Sequence, residues 1–600
     1  MLGSRRIMAT LHAESVVIAP TRGCPQGGVL SPLLWNLVVD GLLHRLSNLG
    51  IYAQGYADDI VLVVQGRHCN ITADIMNVGL RCIHSWCLGE GLNVNPSKTV
   101  VVPFTRKKNL EPLSRLTLGT TKLEISKTVK YLGLTLDHKL VWNDHLASVL
   151  HKARWSLMTT RRLVGTNWGI KPHIALWLYK AIVRPQITYG SLVWWTKVNQ
   201  STVQVKLASL QRLACLLITG AFSSSPTMTL EVMLGLLPLD ILIKAEARKA
   251  AYRLMTAKHW REGRSGTGHC TISGKVNCGP VLDMTSDVMG KETVHSKPYS
   301  TNICSKDACR AEITAHARKG SLMWYTDGSL MDGKSGYGVY SPSPRTNISA
   351  SLGRYCTIFQ AEIQAILTCA SIGVANRYFN RHILILSDSQ AAIKALDSTE
   401  FTSKLVWECY QALCTLAARN NVHLFWVPGH EGIEGNECAD TLAKEGACTP
   451  FFGPEPVCGI SRSTAFHAID KWSRDQHQQR WQSYPGQALG RRLITDTNTH
   501  FTRWLVSLSR GQVKQTTALI TGHGHFRKHL HTLGINNESR ECRICNQSEE
   551  TARYIILECD GLGVRRRALF SHVRPGDEID AGIGKKLLDL VKGTSIGLPI

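Results

Sequence analysis

Trp324-Tyr-Thr-Asp-Gly-Ser329, Phe359-Gln-Ala-Glu-Ile-Gln-Ala365, Leu386-Ser-Asp-Ser-Gln390, Val427-Pro-Gly-His-Glu-Gly432 and Asn436-Glu-Cys-Ala-Asp440 lie in one stretch, Leu322 to Gly446. Leu322 to Thr326 reads as a short buried strand ending at Asp327. Residues 361–374 place Ile363, Ile366, Leu367, Ala370 and Val374 on one helical face, with Glu362 at its edge. His382 to Leu386 is an unbroken apolar run, the pattern of a central strand covered on both faces, and it delivers Asp388. Val422 to Val427 predicts a further strand, His430 a loop, and Asn436 to Glu445 a helix closed by Gly446.

Strand ends and the helices packed on them meet at one edge of a mixed sheet. Four carboxylates gathered there repel one another. At about 4 Å and an effective dielectric near 20, a like pair costs roughly 4 kcal/mol. Cations among the oxygens relieve that repulsion, and oxygen donors without sulfur favour Mg2+ (or Mn2+). The reading requires Asp327, Glu362, Asp388 and Asp440 to converge and to stay open to solvent. Each motif alone has a plainer explanation: Thr-Asp-Gly-Ser as a turn, Asp388-Ser389 as a helix cap, His430 as a surface residue.

In order and local motif these residues resemble the ribonuclease H family. The resemblance implies Asp327, Glu362, Asp388 and Asp440 as metal-binding catalytic carboxylates, and His430 as a loop residue assisting proton transfer or product release. It also implies that Ser329, Gln390 and Asn436 touch nucleic acid. The short 389–403 connection lacks the extra basic helix of some cellular members, so hybrid binding is expected to lean on other parts of the chain.

Six hundred residues predict several domains, and 44% hydrophobic against 19% charged residues excludes a globally disordered chain. Lys plus Arg is 69 and Asp plus Glu is 45, so the balance is +24, which points to a polyanionic partner, nucleic acid first. Nineteen cysteines without a secretory signal favour reduced thiols. The segment 174–195 is broken by Lys180 and Arg184, so no transmembrane segment is expected. The expectation is an intracellular protein, nuclear or cytoplasmic.

The N-terminal region carries a second motif set. Arg22-Gly-Cys-Pro-Gln-Gly-Gly-Val-Leu-Ser-Pro32 is a turn leading into an apolar helix, Leu33 to Leu46. Tyr56-Ala-Asp-Asp-Ile-Val-Leu-Val-Val64 predicts a hairpin tip presenting Asp58 and Asp59. Lys98 follows in a loop, and Lys130-Tyr-Leu-Gly-Leu134 in a strand-like segment. In this order the motifs resemble the palm of a reverse transcriptase, nearest to the polyproteins of non-long-terminal-repeat (LINE-type) retrotransposons. The resemblance implies metal binding by Asp58 and Asp59, and a nucleotide and template pocket shaped by Gln26, Gly27 and neighbours, with RNA template and DNA primer as partners. It also calls for an aspartate upstream of the Pro-Gln-Gly turn, where this sequence offers only Glu14. The expectation is a truncated polymerase that does not extend primers by itself.

The stripes Leu146, Val149, Leu150, Ala153, Leu157 and Leu207, Leu210, Ala214, Leu217 predict helices, the second ended by Gly220. Lys152, Arg154, Arg161 and Arg162 lie off the first stripe, so a basic rail for a duplex and a plain bundle with a solvated face both fit. Residues 261–318, rich in Gly, Ser, Thr and Lys, read as a linker, with Cys270, Cys278, Cys304 and Cys309 as free thiols. Near the C-terminus, residues 463–482 predict a basic helix. Cys542-Arg-Ile-Cys545 and Cys559 resemble the cysteine knuckle of the same polyproteins, except that Tyr554 stands where the pattern has histidine. Zinc there requires a fourth donor, for which His523, His525 and His529 are candidates.

The expected architecture is multidomain α/β and α+β. It comprises a partial palm (1–140), a helical thumb and connection (141–260), the linker (261–318), a ribonuclease H-like mixed sheet with flanking helices (319–448) and a mostly helical C-terminal tail (449–600). Two functions follow: a magnesium-dependent endoribonuclease acting on the RNA strand of an RNA–DNA hybrid, or a nucleic-acid-binding remnant without catalysis. RNA-directed DNA polymerisation is the alternative if a longer product exists.

Overall fold

The apolar run at residues 382–386 forms the strand His382–Ser387, buried from Ile383 to Ser387. Ile383 and Ile385 enter one core with Leu322, Trp324, Val422 and Leu424. Leu384 and Leu386 enter a second with Phe425 and Val427. The two-residue period of a strand makes this division, and helices or loops cover both faces. The sheet has six strands in the order Ser300–Asn302, Asn421–Trp426, His382–Ser387, Leu322–Met331, Lys334–Pro342, Arg345–Gly353. The first four are mutually parallel, and the last two extend the sheet as an antiparallel meander.

This computed structural model describes residues 7–11, 14–18, 27–105, 107–165, 168–257, 280–317, 320–496, 499–535, 539–570, 583–594 and 596. Its chain divides into two units, Met1–Ser148 and Val149–Ile600.

Three sequence expectations change in the second unit. The strand at Leu322 does not end at Asp327 but runs to Met331, then turns through Asp332 and Gly333, both at positive φ, into Lys334–Pro342. Asp-Gly between two strands is the signature of a tight hairpin. Gly446 does not close its helix, which spans Glu434–Cys448. A Cβ on Gly446 would lie 2.6 Å from the Ala350 carbonyl oxygen, and one on Gly338 2.2 Å from that of Ala439. These glycines let the helix lie directly on the meander. Finally, the expected linker is described from residue 280 and is structured there. Val288–Thr293 pairs with Glu400–Ser403, and Ser300–Asn302 adds the edge strand beside Asn421–Trp426. These pieces are short and largely polar, so no periodic apolar signal betrays them.

The helix Ile358–Ala375 begins with a capping box between Thr357 and Gln360. By length and composition it is apolar enough to cross a membrane, yet Ile363, Ile366 and Ala370 lie wholly buried in the sheet's core. The predicted helical stripes appear in Asn143–Arg161 and Ser201–Thr219, the latter ended by Gly220 in the left-handed conformation. The basic helix is Arg462–Ser483, and Arg480 pairs with the buried Asp240 through both guanidinium Nη atoms, at 2.9 and 2.7 Å. Arg510 donates to the Leu217 carbonyl, so C-terminal helices lie against the 201–256 helices.

In the first unit the helix Ser31–Asn48 packs through Val39, Leu42 and Leu46 against Ile83 and Trp86 of the helix Cys69–Gly89. Tyr52–Tyr56 and Asp59–Val63 form the predicted hairpin. Thr128–Tyr131 and Leu134–Asp137 form another, turning at Leu132 and Gly133.

Candidate metal-binding active site

Strand register brings the acids together. Thr326 is the parallel partner of Ser387, so Asp327 and Asp388, each one residue further on, emerge side by side. Glu362 arrives from the second turn of the helix Ile358–Ala375, seated against the strand because Gly328 has no side chain; a Cβ there would stand 2.8 Å from the Glu362 amide nitrogen. Asp327, Glu362 and Asp388 offer ligand oxygens that all lie within 4.8 Å of one another. Asp440, on the helix Glu434–Cys448, hydrogen-bonds Asp327 from the side. All four predicted carboxylates therefore meet.

They are not equally open. Asp327 and Glu362 keep 6% and 4% of their surface, and solvent reaches the cluster past the half-buried Asp388 and Asp440. The expectation of four open acids is corrected to two deep and two accessible, because the helix Ile358–Ala375 closes over the strand ends.

Burial and mutual repulsion act in the same direction. Burial, then Asp388 and Asp440, push the Asp327 carboxyl up to about 8. Burial, then Asp327 and Asp388, raise Glu362 well above the usual carboxylate range. Asp388 is also raised by burial, while the Asn436 amide and the neighbouring His430 favour its ionised form. Such a cluster holds protons unless cations replace them, and its hard oxygen donors suit a divalent ion.

His430 sits exposed at positive φ in the loop after Asn421–Trp426, close enough to act on Asp388. Gly429 admits this approach: a Cβ on it would lie 2.8 Å from Asp388 Oδ2. Ser329 and Gln390 are half-buried near the site, and Gln390 accepts from Lys394 at 3.4 Å. Asn436 differs from expectation. It is 3% exposed, hydrogen-bonds Asp388, and leaves its Oδ1 buried without a partner. It faces the acids, not the surface.

Some contributors were missed by sequence reasoning. Ser387 donates to Glu362 Oε2 at 3.5 Å and accepts the Ser389 amide at 3.1 Å. It is the polar end of an apolar run, which was a readable signal. Lys444 lies 2.6 Å from Asp440 Oδ2, and its i,i+4 spacing was readable too.

In the first unit Asp58 and Asp59 stand exposed at the hairpin tip. Among the described residues no third acid, histidine or cysteine joins them at ligand distance. Gly27 adopts φ 80°, Lys98 is exposed in the turn Pro96–Lys98, and Gln26 lies outside the described residues, as do Cys270 and Cys278. In the second unit Cys542, Cys545 and Cys559 bring their sulfurs within 4.8 Å. Tyr554 Oη is 3.1 Å from Cys545 Sγ. Burial pushes the Cys545 thiol up, but this hydroxyl and neighbouring donors bring it down to about 7. None of the three candidate histidines joins the sulfurs among the described residues: His523 and His529 each hydrogen-bond Ser224 at 3.0 Å, and His525 packs on Phe222.

Comparison with known proteins agrees with this layout. A family model for reverse transcriptase (RNA-dependent DNA polymerase) matches residues 5–136, and one for RNase H matches residues 319–448. A retrovirus-related Pol polyprotein from the type-1 retrotransposable element R1 of Nasonia vitripennis is 28% identical over 224 residues, covering 36% of this chain and 66% of that one. A putative 115 kDa protein in the R1DM element of Drosophila melanogaster is 28% identical over 247 residues, covering 41% of this chain and 24% of that one. The RNA-directed DNA polymerase from the mobile element jockey of Drosophila funebris is 25% identical, covering 39% and 25%. The alignments thus span about two thirds of the first relative's length and about a quarter of the other two. Among solved structures, an N-terminal RNase H domain from Mycobacterium tuberculosis aligns at 20% identity over 21% of this chain and 98% of its own, TM-score 0.18. RNase H1 of Halobacterium salinarum aligns at 24% identity over 21% and 97%, TM-score 0.17. The chain thus carries, in this order, a reverse transcriptase segment and a ribonuclease H domain, and is similar to polyproteins of retrotransposable elements.

Proposed function

We propose that this chain is a magnesium-dependent endoribonuclease that cuts the RNA strand of RNA–DNA hybrids. The observation that carries the reading is the convergence of Asp327, Glu362 and Asp388 within 4.8 Å, with Asp440 beside them. Divalent ions bound there supply the charge that activates water and steadies the leaving oxygen of a phosphodiester. The protein's own part is to hold the ligands. Ser387 and the Gly328 amide orient Glu362, Asn436 holds Asp388, and the loop bearing His430 places a proton-accepting group at the open side. Selection of the hybrid rests on its shape and the RNA 2′-hydroxyls. In this reading Ser329 and Gln390 contact that strand.

The test is hybrid cleavage in magnesium by the full chain. Asp388→Asn is expected to abolish cleavage while gel-shift binding of the hybrid persists. Undiminished cleavage by Asp388→Asn ends the proposal.

The exposed pair Asp58 and Asp59 supports a second reading for the first unit, as a partial palm of an RNA-directed DNA polymerase that binds template and primer and becomes complete only in a longer product. Because no third acid joins the pair among the described residues, this chain alone is expected not to extend a primer, and robust extension lost on Asp58→Ala overturns that expectation. The site of action is intracellular, nuclear or cytoplasmic, where such hybrids form. Cys542, Cys545 and Cys559 supply three of the four ligands that zinc takes, and with Tyr554 instead of a histidine beside them they would hold the ion weakly.

A further inference from the structure

Among the described residues, one lysine is paired with an acid of the candidate site. Lys444 follows Asp440 by one turn of the helix Glu434–Cys448, and its Nζ lies 2.6 Å from Asp440 Oδ2. The backbone sets this turn beside the acids. Asp327 is paired directly opposite Gly338, so the two project to the same face of the sheet. On that face a Cβ added to Gly338 would stand 2.2 Å from the Ala439 carbonyl oxygen and 2.5 Å from the Ala443 amide nitrogen. The turn that carries Asp440 and Lys444 therefore rests on the strand pair at the level of Asp327.

This setting separates the pair from an ordinary ion pair along a helix, which water screens and which contributes little. The acid is the more buried partner: the Asp440 side chain keeps 22% of its surface, the Lys444 side chain 49%. Beside it Asp327, Glu362 and Asp388 gather their oxygens within 4.8 Å of one another. An ammonium bound to Asp440 is thus the cluster's own countercharge. A divalent cation on Asp440 meets it on the same carboxylate, and like charges at that range repel. The long, flexible stem of lysine, half-exposed here, lets the ammonium leave without disturbing the helix.

We propose that Lys444 is a positioning residue that sets metal occupancy: its ammonium holds Asp440 in the metal-free chain and keeps that side of the site from filling at low concentrations of divalent cation. This rests on the reading of the acids as a divalent-metal site. Asp327, Glu362 and Asp388 then form the side that fills first, and the Asp440 side fills as the ammonium swings out. Neutralising Lys444 removes the competitor but leaves every carboxylate in place, so affinity on the Asp440 side rises. A helix pair that served stability alone would leave cation binding unchanged.

The test titrates the full chain, freed of metal, with Mn2+ in the absence of nucleic acid and reads free Mn2+ from its electron paramagnetic resonance signal. Lys444→Gln is expected to bind the more weakly held ion about fivefold tighter than the parent protein. Lys444→Arg, which keeps the charge, is expected to stay within about twofold of it. In an Asp440→Asn chain, Lys444→Gln is expected to change nothing further, since the contested carboxylate is gone. Equal Mn2+ binding by Lys444→Gln and the parent overturns the proposal and leaves the metal site standing. So does a gain that persists in the Asp440→Asn chain, which would mark a general effect of net charge. Binding by Asp388→Asn that matches the parent overturns the reading of the acids as a metal site, and this proposal with it.

Discussion

Asn436 and Asp388 form the most telling contact of the acidic site: an amide that is 3% exposed hydrogen-bonds the most accessible of the three clustered carboxylates and keeps its own Oδ1 without a partner. A buried amide oxygen that finds no donor costs stability, of the order of 1–3 kcal/mol, and such groups mark functional positions. Its place fits a residue that fixes Asp388.

Asn436→Ala removes the donor that favours ionised Asp388. The magnesium concentration for half-maximal cleavage is expected to rise about tenfold, equivalent to about 1.4 kcal/mol, with hybrid affinity unchanged. Magnesium titrations beside gel shifts distinguish this from a nucleic-acid contact, for which affinity falls and the magnesium requirement stays.

Stability in chelator is expected to fall as pH rises. Asp327, pushed up to about 8, and Glu362, also raised, keep protons in the fold that the unfolded chain releases near pH 4. Between those pH values the folded state binds more protons, so unfolding becomes easier with each step upward. Thermal melts in chelator at pH 5 and pH 8 should place the higher midpoint at pH 5, and magnesium should narrow the gap. Equal midpoints would show that the acids do not crowd as described.

Gly446→Ala separates two readings by sign. If Gly446 were only a helix residue, alanine would stabilise by about 1 kcal/mol. The 2.6 Å approach of its missing Cβ to the Ala350 carbonyl instead predicts a loss of about 1–3 kcal/mol. Denaturant unfolding reads the difference directly.

Tyr554→His replaces a phenol beside Cys545 with a nitrogen donor. Zinc retained after dialysis is expected to rise to about one ion per chain, from a lower value in the parent protein. Retention near one ion by both would mean that three thiolates and the phenol already hold the ion, and retention near zero by both ends the zinc reading.

The acids were legible one by one, because each lies on or beside a segment whose type is written locally. Asp388 follows an apolar run, and Glu362 rides a helix with a capping box. Their convergence needed the register Thr326–Ser387, a long-range pairing that no local pattern specifies. The depth of Asp327 and Glu362, the inward turn of Asn436, the glycine-mediated approach of the helix Glu434–Cys448 to the meander, and the edge strand Ser300–Asn302 were likewise tertiary outcomes.

The sequence by itself determined residue types, their periodicity and their order, and these sufficed for two nucleic-acid-processing segments and their candidate acids. Tertiary structure alone decided which groups share a site and which are shielded from water. Periodicity is local, while burial and charge crowding depend on segments far apart in the chain.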